Sequence, residues 1–342
     1  MSDRPLPVGK LVFTTLQRLL NQAGGISDAP EVVVGPGIGR DVAVLDTGGD
    51  KYLLAKSDPI TFATGAIGYY LVNVNTNDIA TSGGRPRWLL VTLLLPENET
   101  TEAMVEEIFD QITGACEKLD IALIGGHTEI TYGLNRPLII GMLLGEVDKG
   151  RLITPDGLQV GDTIIVTKQI PVEGTALIAT EKRQDLKDAG FSDAFLHRCA
   201  DMLFDPGIGV LTEALVAVDA GDVHAMHDPT EGGLATGLWE MADAAGLGMA
   251  VEEAAIPVRD EARQICAEYD LDPLGVIASG SLLIGCSPGD AAAIVEALHK
   301  EGITAAAIAQ VRPRDEGVMM HKRDGETVDL PRYDQDELTK IL

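Results

Sequence analysis

Aromatic residues are scarce in this chain, where they make up 4% of the 342 residues. Proteins that bind single-stranded nucleic acid commonly stack bases on aromatic rings, so this composition disfavours that mode of binding. Basic residues are also few: 26 lysines and arginines stand against 53 aspartates and glutamates, a formal net charge of −27. Such a surface repels phosphate backbones. We therefore expect no nucleic-acid partner, and an anionic ligand needs a metal ion or backbone N–H donors.

Cysteine is equally rare, and long apolar runs are absent. The four cysteines show no C-x-x-C spacing, and Cys116 falls on the apolar stripe of a predicted helix, as inert buried thiols commonly do. This usage suits a reducing compartment. The longest apolar runs, Trp88–Leu95 and Leu138–Leu144, are far too short to span a membrane, and residues 1–10 lack a signal-peptide layout. We expect a cytoplasmic protein without a membrane partner.

Several catalytic motifs are missing as well. The chain contains no G-x-x-x-x-G-K-[ST], which excludes a P-loop protein, and no G-x-S-x-G, so serine-hydrolase chemistry has no support. Gly35, Gly37 and Gly39 lead into a predicted strand rather than a helix, which disfavours a dinucleotide-binding fold. These glycines allow close backbone approach to a ligand, although a plain hairpin turn explains them equally well.

The length permits two domains, each with its own core. Periodicity breaks at the Gly/Pro/Asp-rich stretch between residues 150 and 161, so we predict domains at residues 1–150 and 151–342. Helical and strand patterns alternate in both halves, which predicts an α/β or α+β fold. In the second half we expect strands at 162–168, 223–226, 248–251, 281–286 and 305–311, and helices at 232–245 and 288–300. The strand Trp88–Leu95 is too apolar for a wet face, so it is covered on both faces or pairs across a subunit interface.

The stretch from Lys56 to Arg87 is the most informative part of the first half. We predict a turn at Asp58-Pro59, then a helix that begins near Ala66 and ends before Gly83-Gly84. This helix carries Asn73, Asn75, Asn77 and Asp78 beside an apolar stripe, although asparagine and aspartate are mediocre helix formers. Two interpretations stay open: an exposed polar face, or a polar wall that lines a charged ligand.

Histidines provide weaker signals. The segment 121–130, IALIGGHTEI, predicts a buried strand and then a glycine turn that carries His127, where hydrogen bonding is favoured over metal ligation. His224 and His227 invite a zinc interpretation, but on a strand they face opposite sides, and no cysteine or third histidine follows at ligand spacing.

Acid-and-glycine clusters recur along the chain, and they end at Asp41, Asp58, Asp78, Glu129 and Asp228. Magnesium prefers a few carboxylates together with phosphate oxygens and water, which suits such a scatter. The clusters therefore favour Mg²⁺ ions that bridge a triphosphate. The alternative is that they form turns and helix caps without a ligand.

The clusters also resemble a known family. The motifs, in chain order, are Gly-x-Gly-x-Asp-x-Ala-Val-Leu at 37–45, Ser-Asp-Pro at 57–59, Asn-Asp-Ile-Ala-x-x-Gly-Gly-x-Pro at 77–86, Gly-Gly-His-Thr at 125–128 and Met-x-Asp-Pro-Thr-x-Gly-Gly-Leu at 226–234. This set is similar to the superfamily of aminoimidazole ribonucleotide (AIR) synthase, whose members include selenophosphate synthetase, thiamine-monophosphate kinase and the hydrogenase maturation protein HypE. The resemblance implies N-terminal strands that form a barrel with a partner subunit, hence a homodimer. It also implies an α+β C-terminal domain and ATP with Mg²⁺ in the interdomain cleft.

Residue by residue, the resemblance implies the following roles. The metal ligands are Asp41, Asp58, Asp78 and Asp228, and the catalytic acids among them are Asp41, Asp78 and Asp228. The cofactor-binding residues are Gly37, Gly39, Asn77, Gly125, Gly126, Thr128 and Glu129, with the last four in a nucleotide loop.

The second-domain motif is nearest to HypE, which uses ATP to dehydrate a C-terminal cysteine thiocarboxamide, but the chain departs from that pattern. It ends in DELTKIL without the reactive cysteine, Glu231 stands where HypE has arginine, and Arg40 replaces the first acid of an Asp-Asp pair. We therefore expect an ATP- and Mg²⁺-dependent enzyme that activates an amide- or acid-like oxygen of a small-molecule or protein acceptor. The alternatives are a non-catalytic nucleotide-binding dimer and a small-molecule kinase related to thiamine-monophosphate kinase.

Overall fold

The computed structural model describes residues 11, 13–23, 29–37, 39–61 and 65–342. The described helices are α1 (Phe13–Ala23), α2 (Ile67–Thr81), α3 (Glu102–Leu119), α4 (Val172–Glu181), α5 (Arg183–Asp188), α6 (Asp193–Asp201), α7 (Leu211–Ala220), α8 (Gly233–Ala245), α9 (Asp260–Glu268) and α10 (Ala291–Lys300). The described strands are β1 (Val32–Val34), β2 (Ala43–Leu45), β3 (Lys51–Ile60), β4 (Arg85–Pro96), β5 (Ala122–Thr131), β6 (Leu138–Asp148), β7 (Thr163–Thr167), β8 (Val223–His227), β9 (Gly248–Glu252), β10 (Leu283–Cys286), β11 (Ala305–Arg312), β12 (Val318–His321) and β13 (Thr327–Asp329). Our interpretation of residues 1–10 lies outside the described part.

The strands form two mixed sheets, one in each half of the chain. The first has the order β1-β2-β3-β6-β4-β5, and the second β13-β12-β9-β11-β7-β10-β8. In the first sheet β4 and β5 are parallel and joined through α3, while the other pairs are antiparallel. Each sheet carries packed helices, so the predicted two-domain α+β fold is confirmed. The boundary at residue 150 stays a prediction, and it falls between the last strand of the first sheet and the first strand of the second.

Most predicted elements of the second half are confirmed to within a few residues. β12 and β13 were not predicted because four-residue and three-residue strands leave little alternation to detect. All four cysteines are free and buried, and burial raises the pKa of the Cys116 thiol to about 11, as an inert thiol requires. Within the described ranges, no helix combines the length and apolarity needed to cross a membrane.

The predicted turn at Asp58-Pro59 is wrong, because both residues lie inside the continuous strand β3. Pro59 stands in register with Ile140 of β6, whereas β2 pairs only with Leu53–Ala55 on the other side. Beyond Ala55, therefore, β3 pairs on one edge only with the strands that the structure describes, and proline is tolerated at such positions. The consequence is functional: Asp58 is held on a rigid strand rather than on a mobile turn.

The predicted exposed polar face of α2 is wrong, because its asparagines are buried and bonded to the protein itself, while a ligand-lining role for this helix stays a prediction. Asn73 Nδ2 donates to Tyr69 O, and Asn75 Nδ2 donates to Leu71 O, both at 2.9 Å. Asn75 Oδ1 also accepts from Asp58 N at 3.1 Å, which fixes β3 against the helix. The helix is covered on nearly all sides, so its polar groups find partners inside the fold.

Asn77 joins the two halves of the chain. Its Nδ2 donates to Ile208 O at 2.8 Å, and its Oδ1 accepts from Val210 N at 2.9 Å. The same segment is held from the second domain by Lys168, whose Nζ donates to Gly209 O at 2.6 Å and pairs with Glu213 at 2.9 Å. The fully buried Asn77 amide therefore acts as an interdomain bridge.

We expect Asn77→Ala to lower the free energy of unfolding by about 1–3 kcal/mol, because it leaves a buried N–H and a buried C=O without partners. Urea titration followed by circular dichroism measures the change. Asn135→Ala, at an exposed asparagine of the first domain, is the control and should have little effect. Equal stability of the two variants would show that Asn77 does not hold the domains together.

Candidate active site between the two domains

The centre of the candidate site is the ammonium group of Lys56. Its Nζ lies 3.2 Å from Asp58 Oδ2, 3.2 Å from Asp78 Oδ2 and 4.0 Å from Asp41 Oδ1. The Lys56 side chain is only 11% exposed, while Asp41 and Asp58 are 40% and 36% exposed. Three of the four predicted metal ligands therefore converge around a single buried cation, and two of them face solvent.

Three elements bring these side chains together. Lys56 and Asp58 are two residues apart on β3, so they project from the same face of the sheet. Asp78 lies near the end of α2, which packs on that face, and Asp41 lies two residues before β2, the neighbour of β3. The cluster thus depends on the register of β2, β3 and α2 rather than on local sequence.

The second domain contributes Asp228, which follows β8 directly. Its side chain is buried and close enough to interact electrostatically with Asp78, Asp41 and Lys56. The preceding residue, His227, pairs through Nε2 with Glu240 Oε2 of α8 at 2.8 Å. All four predicted metal ligands therefore belong to one interdomain cluster. How they act on a ligand stays a prediction.

Burial and mutual repulsion set the pKa values of this cluster. Burial raises the pKa of Asp78 well above its usual range, and the neighbouring carboxylate of Asp228 adds to the effect. Burial likewise raises the pKa of Asp228 to about 7, against the opposing influence of the His227 imidazolium. Burial alone would lower the pKa of His227, but its bond to Glu240 and the nearby acids raise it to about 9.

Lys56 stays charged in this setting. Burial alone would lower its pKa, but the carboxylates of Asp78, Asp41 and Asp58 outweigh that effect and hold the pKa above its ordinary value. Counting Glu240, five carboxylates surround the cations of Lys56 and His227. The fully ionised cluster is therefore strongly anionic.

These residues fit Mg²⁺ by donor chemistry. Carboxylate oxygens are the ligands that Mg²⁺ prefers, and the buried Asp78 Oδ2, although near Lys56, has no aligned hydrogen-bond donor among the described residues. In the described residues, however, no group of three or more acids, histidines or cysteines is arranged to hold a metal by itself. The arrangement therefore suits a cation that brings phosphate oxygens as further ligands.

A cavity between the domains lies beside the cluster. The first domain lines it with Gly39, Arg40 and Asp41, and the second with Met226, His227 and Glu240. Gly39 has φ of +70°, a conformation that glycine adopts without strain, so it sets the path of the chain before Asp41. Gly37 lies just outside this lining, and an added Cβ there would meet the Arg40 side chain at 2.7 Å.

The predicted nucleotide loop is not a loop, and it does not join this cluster within one chain. Gly125, Gly126, Thr128 and Glu129 lie on β5, an edge strand. The predicted strand is confirmed, but it is exposed rather than buried, and it continues through the two glycines where a turn was predicted. In the sheet β5 stands three strands from β3, which is about 14 Å at the usual strand spacing. An added Cβ at Gly126 would lie 1.8 Å from Val91 O, so close approach to β4 explains this glycine.

The remaining predicted residues lie in other groups. Glu231 interacts with the buried Glu173, whose pKa is raised to about 7 mainly by burial. His224 is held between Asp162 at 2.8 Å and Asp222 at 3.1 Å, on the opposite side of β8 from His227. His127 lies on exposed β5, 3.0 Å from Glu129. The zinc interpretation of His224 and His227 therefore has no structural support, and His127 has the expected hydrogen-bonding role.

Lys56 and the His227–Glu240 pair were missed as site residues. A lysine in a strand commonly faces solvent, so its type gave no signal. The spacing did contain a signal, because Lys56 and Asp58 are two residues apart and so share a face wherever the segment forms a strand. Glu240 is a polar residue on a helix, and nothing in the sequence pairs it with His227.

Both halves of the chain match a known protein family. Residues 39–147 match the family described as AIR synthase related protein, N-terminal domain, and residues 159–322 match its C-terminal domain. A putative hydrogenase expression/formation protein of Methanocaldococcus jannaschii is 31% identical over 83% of this chain and 83% of its own length. The carbamoyl dehydratase HypE of Cupriavidus necator is 32% identical over 74% of this chain and 70% of its own length.

Solved structures agree with these matches. A crystal structure of the hydrogenase maturation protein HypE in complex with ATP has a TM-score of 0.71 and 26% identity, and the similarity covers 93% of this chain and 94% of that one. The two family matches fall on the two sheets described above and together cover most of the sequence. The chain belongs to the family of AIR synthase related proteins.

Proposed function

We propose that this protein is an ATP- and Mg²⁺-dependent enzyme that phosphorylates an amide- or acid-like oxygen of an acceptor. The observation that carries the proposal is the convergence of Asp41, Asp58, Asp78 and Asp228 from both domains on one cluster beside an open cavity. Relatives named carbamoyl dehydratase and the similar HypE structure with bound ATP support an ATP-using dehydration enzyme. The acceptor is a small molecule or a partner protein.

The proposed chemistry begins with attack of the acceptor oxygen on the γ-phosphorus of ATP. The bond from that phosphorus to the β-γ bridging oxygen breaks, and ADP leaves. For a carbamoyl acceptor the C–O bond then breaks, inorganic phosphate departs, and the nitrogen loses two protons to give a nitrile. Overall, one carbamoyl group and ATP give a nitrile, ADP, phosphate and one proton. Phosphorylation is needed because an amide oxygen is a poor leaving group by itself.

The residues of the chain have separable roles in this scheme. Asp41 and Asp58, which face solvent, would hold Mg²⁺, and the bound ion would neutralise charge of the triphosphate. Asp78 and Lys56 fix the buried side of the cluster. Asp228, with a pKa of about 7, is suited to accept a proton from the acceptor near neutral pH. Most of the rate enhancement would come from positioning and charge neutralisation.

The proposal predicts that Asp78→Asn abolishes Mg²⁺-dependent ATP turnover, because the substitution keeps the shape of the side chain but removes a charge from the cluster. Release of phosphate with candidate carbamoyl acceptors gives the rate, and calorimetric titration with a non-hydrolysable ATP analogue gives the affinity.

Glu173→Gln is the matched control, since it neutralises a buried carboxylate outside the cluster and should leave ATP binding intact. Full activity of Asp78→Asn would contradict the assignment. Tight binding of the analogue by the wild-type protein, without turnover of any acceptor tested, would favour the non-catalytic nucleotide-binding alternative. Phosphate transfer to an added hydroxyl or phosphate ester would favour the kinase alternative.

The raised pKa of Asp228 predicts a pH dependence of stability in the nucleotide-free protein. The pKa is 3.8 without perturbation and about 7 when folded, so between these values the folded state binds more protons than the unfolded state. The free energy of unfolding therefore falls as pH rises from about 4 to about 7, by an amount on the order of a few kcal/mol.

We expect Asp228→Asn to flatten this decline, measured as thermal midpoints between pH 4 and pH 8. Asp185→Asn, at an exposed aspartate of the second domain, is the control and should retain the wild-type slope. An Asp228→Asn profile parallel to that of the wild-type protein would contradict a raised pKa at this position.

We also propose that the protein works as a homodimer through β5. Every residue from Ala122 to Ile130 on this ten-residue edge strand is exposed in the single chain. Large apolar side chains lie on or beside it, with exposures of 51% for Ile124, 62% for Ile130 and 86% for Tyr132. An unpaired, apolar strand edge is a ready surface for another strand. A second copy at this edge would complete the predicted barrel and bring Thr128 and Glu129 towards the partner's cluster.

Ile124→Asp is therefore expected to convert the dimer to a monomer in size-exclusion chromatography with light scattering, because it places a charge in an apolar interface. Val160→Asp changes a residue that is 57% exposed in the second domain and should leave the dimer intact. A wild-type protein that is monomeric at micromolar concentration would rule out this assembly.

A further inference from the structure

The position of Lys56 bears on how a metal ion enters the cluster. Its ammonium group lies at the point on which the carboxylates of Asp58, Asp78 and Asp41 converge, 3.2 to 4.0 Å from one oxygen of each. Ligand oxygens that surround a common point are what a divalent cation requires, and here a tethered cation already holds that point. Because the lysine is part of strand β3, it does not diffuse away as a bound ion does.

Two further observations bear on the same question. The acids outnumber the cations, so without Lys56 the cluster would have a large uncompensated negative charge in a buried place. Yet over the described ranges, no three acids, histidines or cysteines come together in a metal-binding arrangement. Both follow if the ammonium group is the counter-ion around which the carboxylates are arranged.

We propose that Lys56 is the resident counter-ion of this cluster and excludes divalent cations until a nucleotide supplies phosphate oxygens. Mg²⁺ then binds together with the triphosphate, through the solvent-facing Asp41 and Asp58, and the free protein holds no metal at this place. The inference rests on the proposed function, since it assumes that the nucleotide binds here. It adds an order of events, because the nucleotide becomes a condition for metal binding.

The physical basis is repulsion between cations at short range in a poorly screened environment. A divalent ion next to Lys56 Nζ would be attracted by the carboxylates but repelled by the ammonium group. Phosphate oxygens tip this balance, because they add negative charge and complete an octahedral shell that two carboxylates leave unfinished. Lys56 can also pair with a phosphate oxygen once the nucleotide is bound.

The test is Mn²⁺ binding without nucleotide, measured by electron paramagnetic resonance of the free ion and by the thermal midpoint with and without Mn²⁺. For the wild-type protein we expect no saturable binding at sub-millimolar Mn²⁺ and no shift in the midpoint. For Lys56→Met we expect one bound Mn²⁺ with at least tenfold higher affinity, and a raised midpoint. Lys56→Arg, which keeps the charge, should behave as the wild-type protein does.

Two further variants keep the outcome interpretable. Lys51→Met removes an exposed lysine from the same strand, outside the cluster, and should not gain Mn²⁺ binding. The double variant Lys56→Met/Glu240→Gln keeps the net charge of the cluster unchanged and retains Asp41 and Asp58, so it guards against a failure of Lys56→Met to fold. We expect it also to bind Mn²⁺ more tightly than the wild-type protein, because the tethered cation is gone.

Nucleotide-free wild-type protein that binds Mn²⁺ as tightly as Lys56→Met would overturn the inference. So would Lys56→Met and the double variant if both bind no more Mn²⁺ than the wild-type protein. Failure of the proposed function has a different signature, namely no binding of ATP analogue by the wild-type protein with Mg²⁺ present. Mn²⁺ binding by the nucleotide-free variants can be measured whether or not the wild-type protein binds the ATP analogue.

Discussion

The ion pairs of Lys56 with Asp58 and Asp78 are the constraint on which the rest of the site depends. Carboxylates this close together repel one another, and burial adds to the cost of keeping them charged. A lysine tethered to β3 offsets that cost and fixes where the surrounding elements lie. Strand β3 gives Lys56 and Asp58 a common face, α2 brings Asp78 onto it, and the loop before β2 adds Asp41 at the rim. The second domain then places Asp228 against the buried side. Without the ammonium group, this packing would bring four like charges together with one cation fewer to offset them.

Helix α2 is the second organising element, because it serves both domains. Its residues Leu71, Val72 and Ile79 belong to the core of the first sheet, while Ala80 packs in a cluster of second-domain residues. In return, Val172 and Ile208 of the second domain join the first core. A helix buried on both sides has no wet face, so its asparagines bond to the backbone around them. This explains how a helix so rich in polar residues is stable in the interior.

The sequence allowed the acids to be predicted, because aspartates next to glycines and strand ends are a local signal that survives folding. The two-domain organisation was predictable because the Gly/Pro/Asp-rich break in periodicity between residues 150 and 161 is also a local signal. Lys56 was not predictable, since its role depends on three separate elements that folding brings together.

The glycines of β5 led to a wrong prediction. The pair Gly125-Gly126 is typical of a turn, yet Gly126 is required because β4 approaches so closely that no side chain fits. Asn77 has a residue type suited to phosphate binding, but both of its polar atoms are used by the backbone of residues 208 and 210. The local sequence shows which side chains could bind a ligand. Contacts between distant elements decide which of those side chains are still available to do so.

The bridge made by Asn77 has a consequence for how ligands come and go. The two domains share helix α2 and contribute residues to each other's core. A hinge motion that separated them would break both hydrogen bonds of the Asn77 side chain and expose Ile208 and Ala80 to water. The width of the cleft is therefore fixed when the chain folds. Ligands then enter and leave at the rim, where Asp41 and Asp58 face solvent, while Asp78 and Asp228 remain buried behind them. A ligand must therefore fit a cleft whose width is already set by the fold.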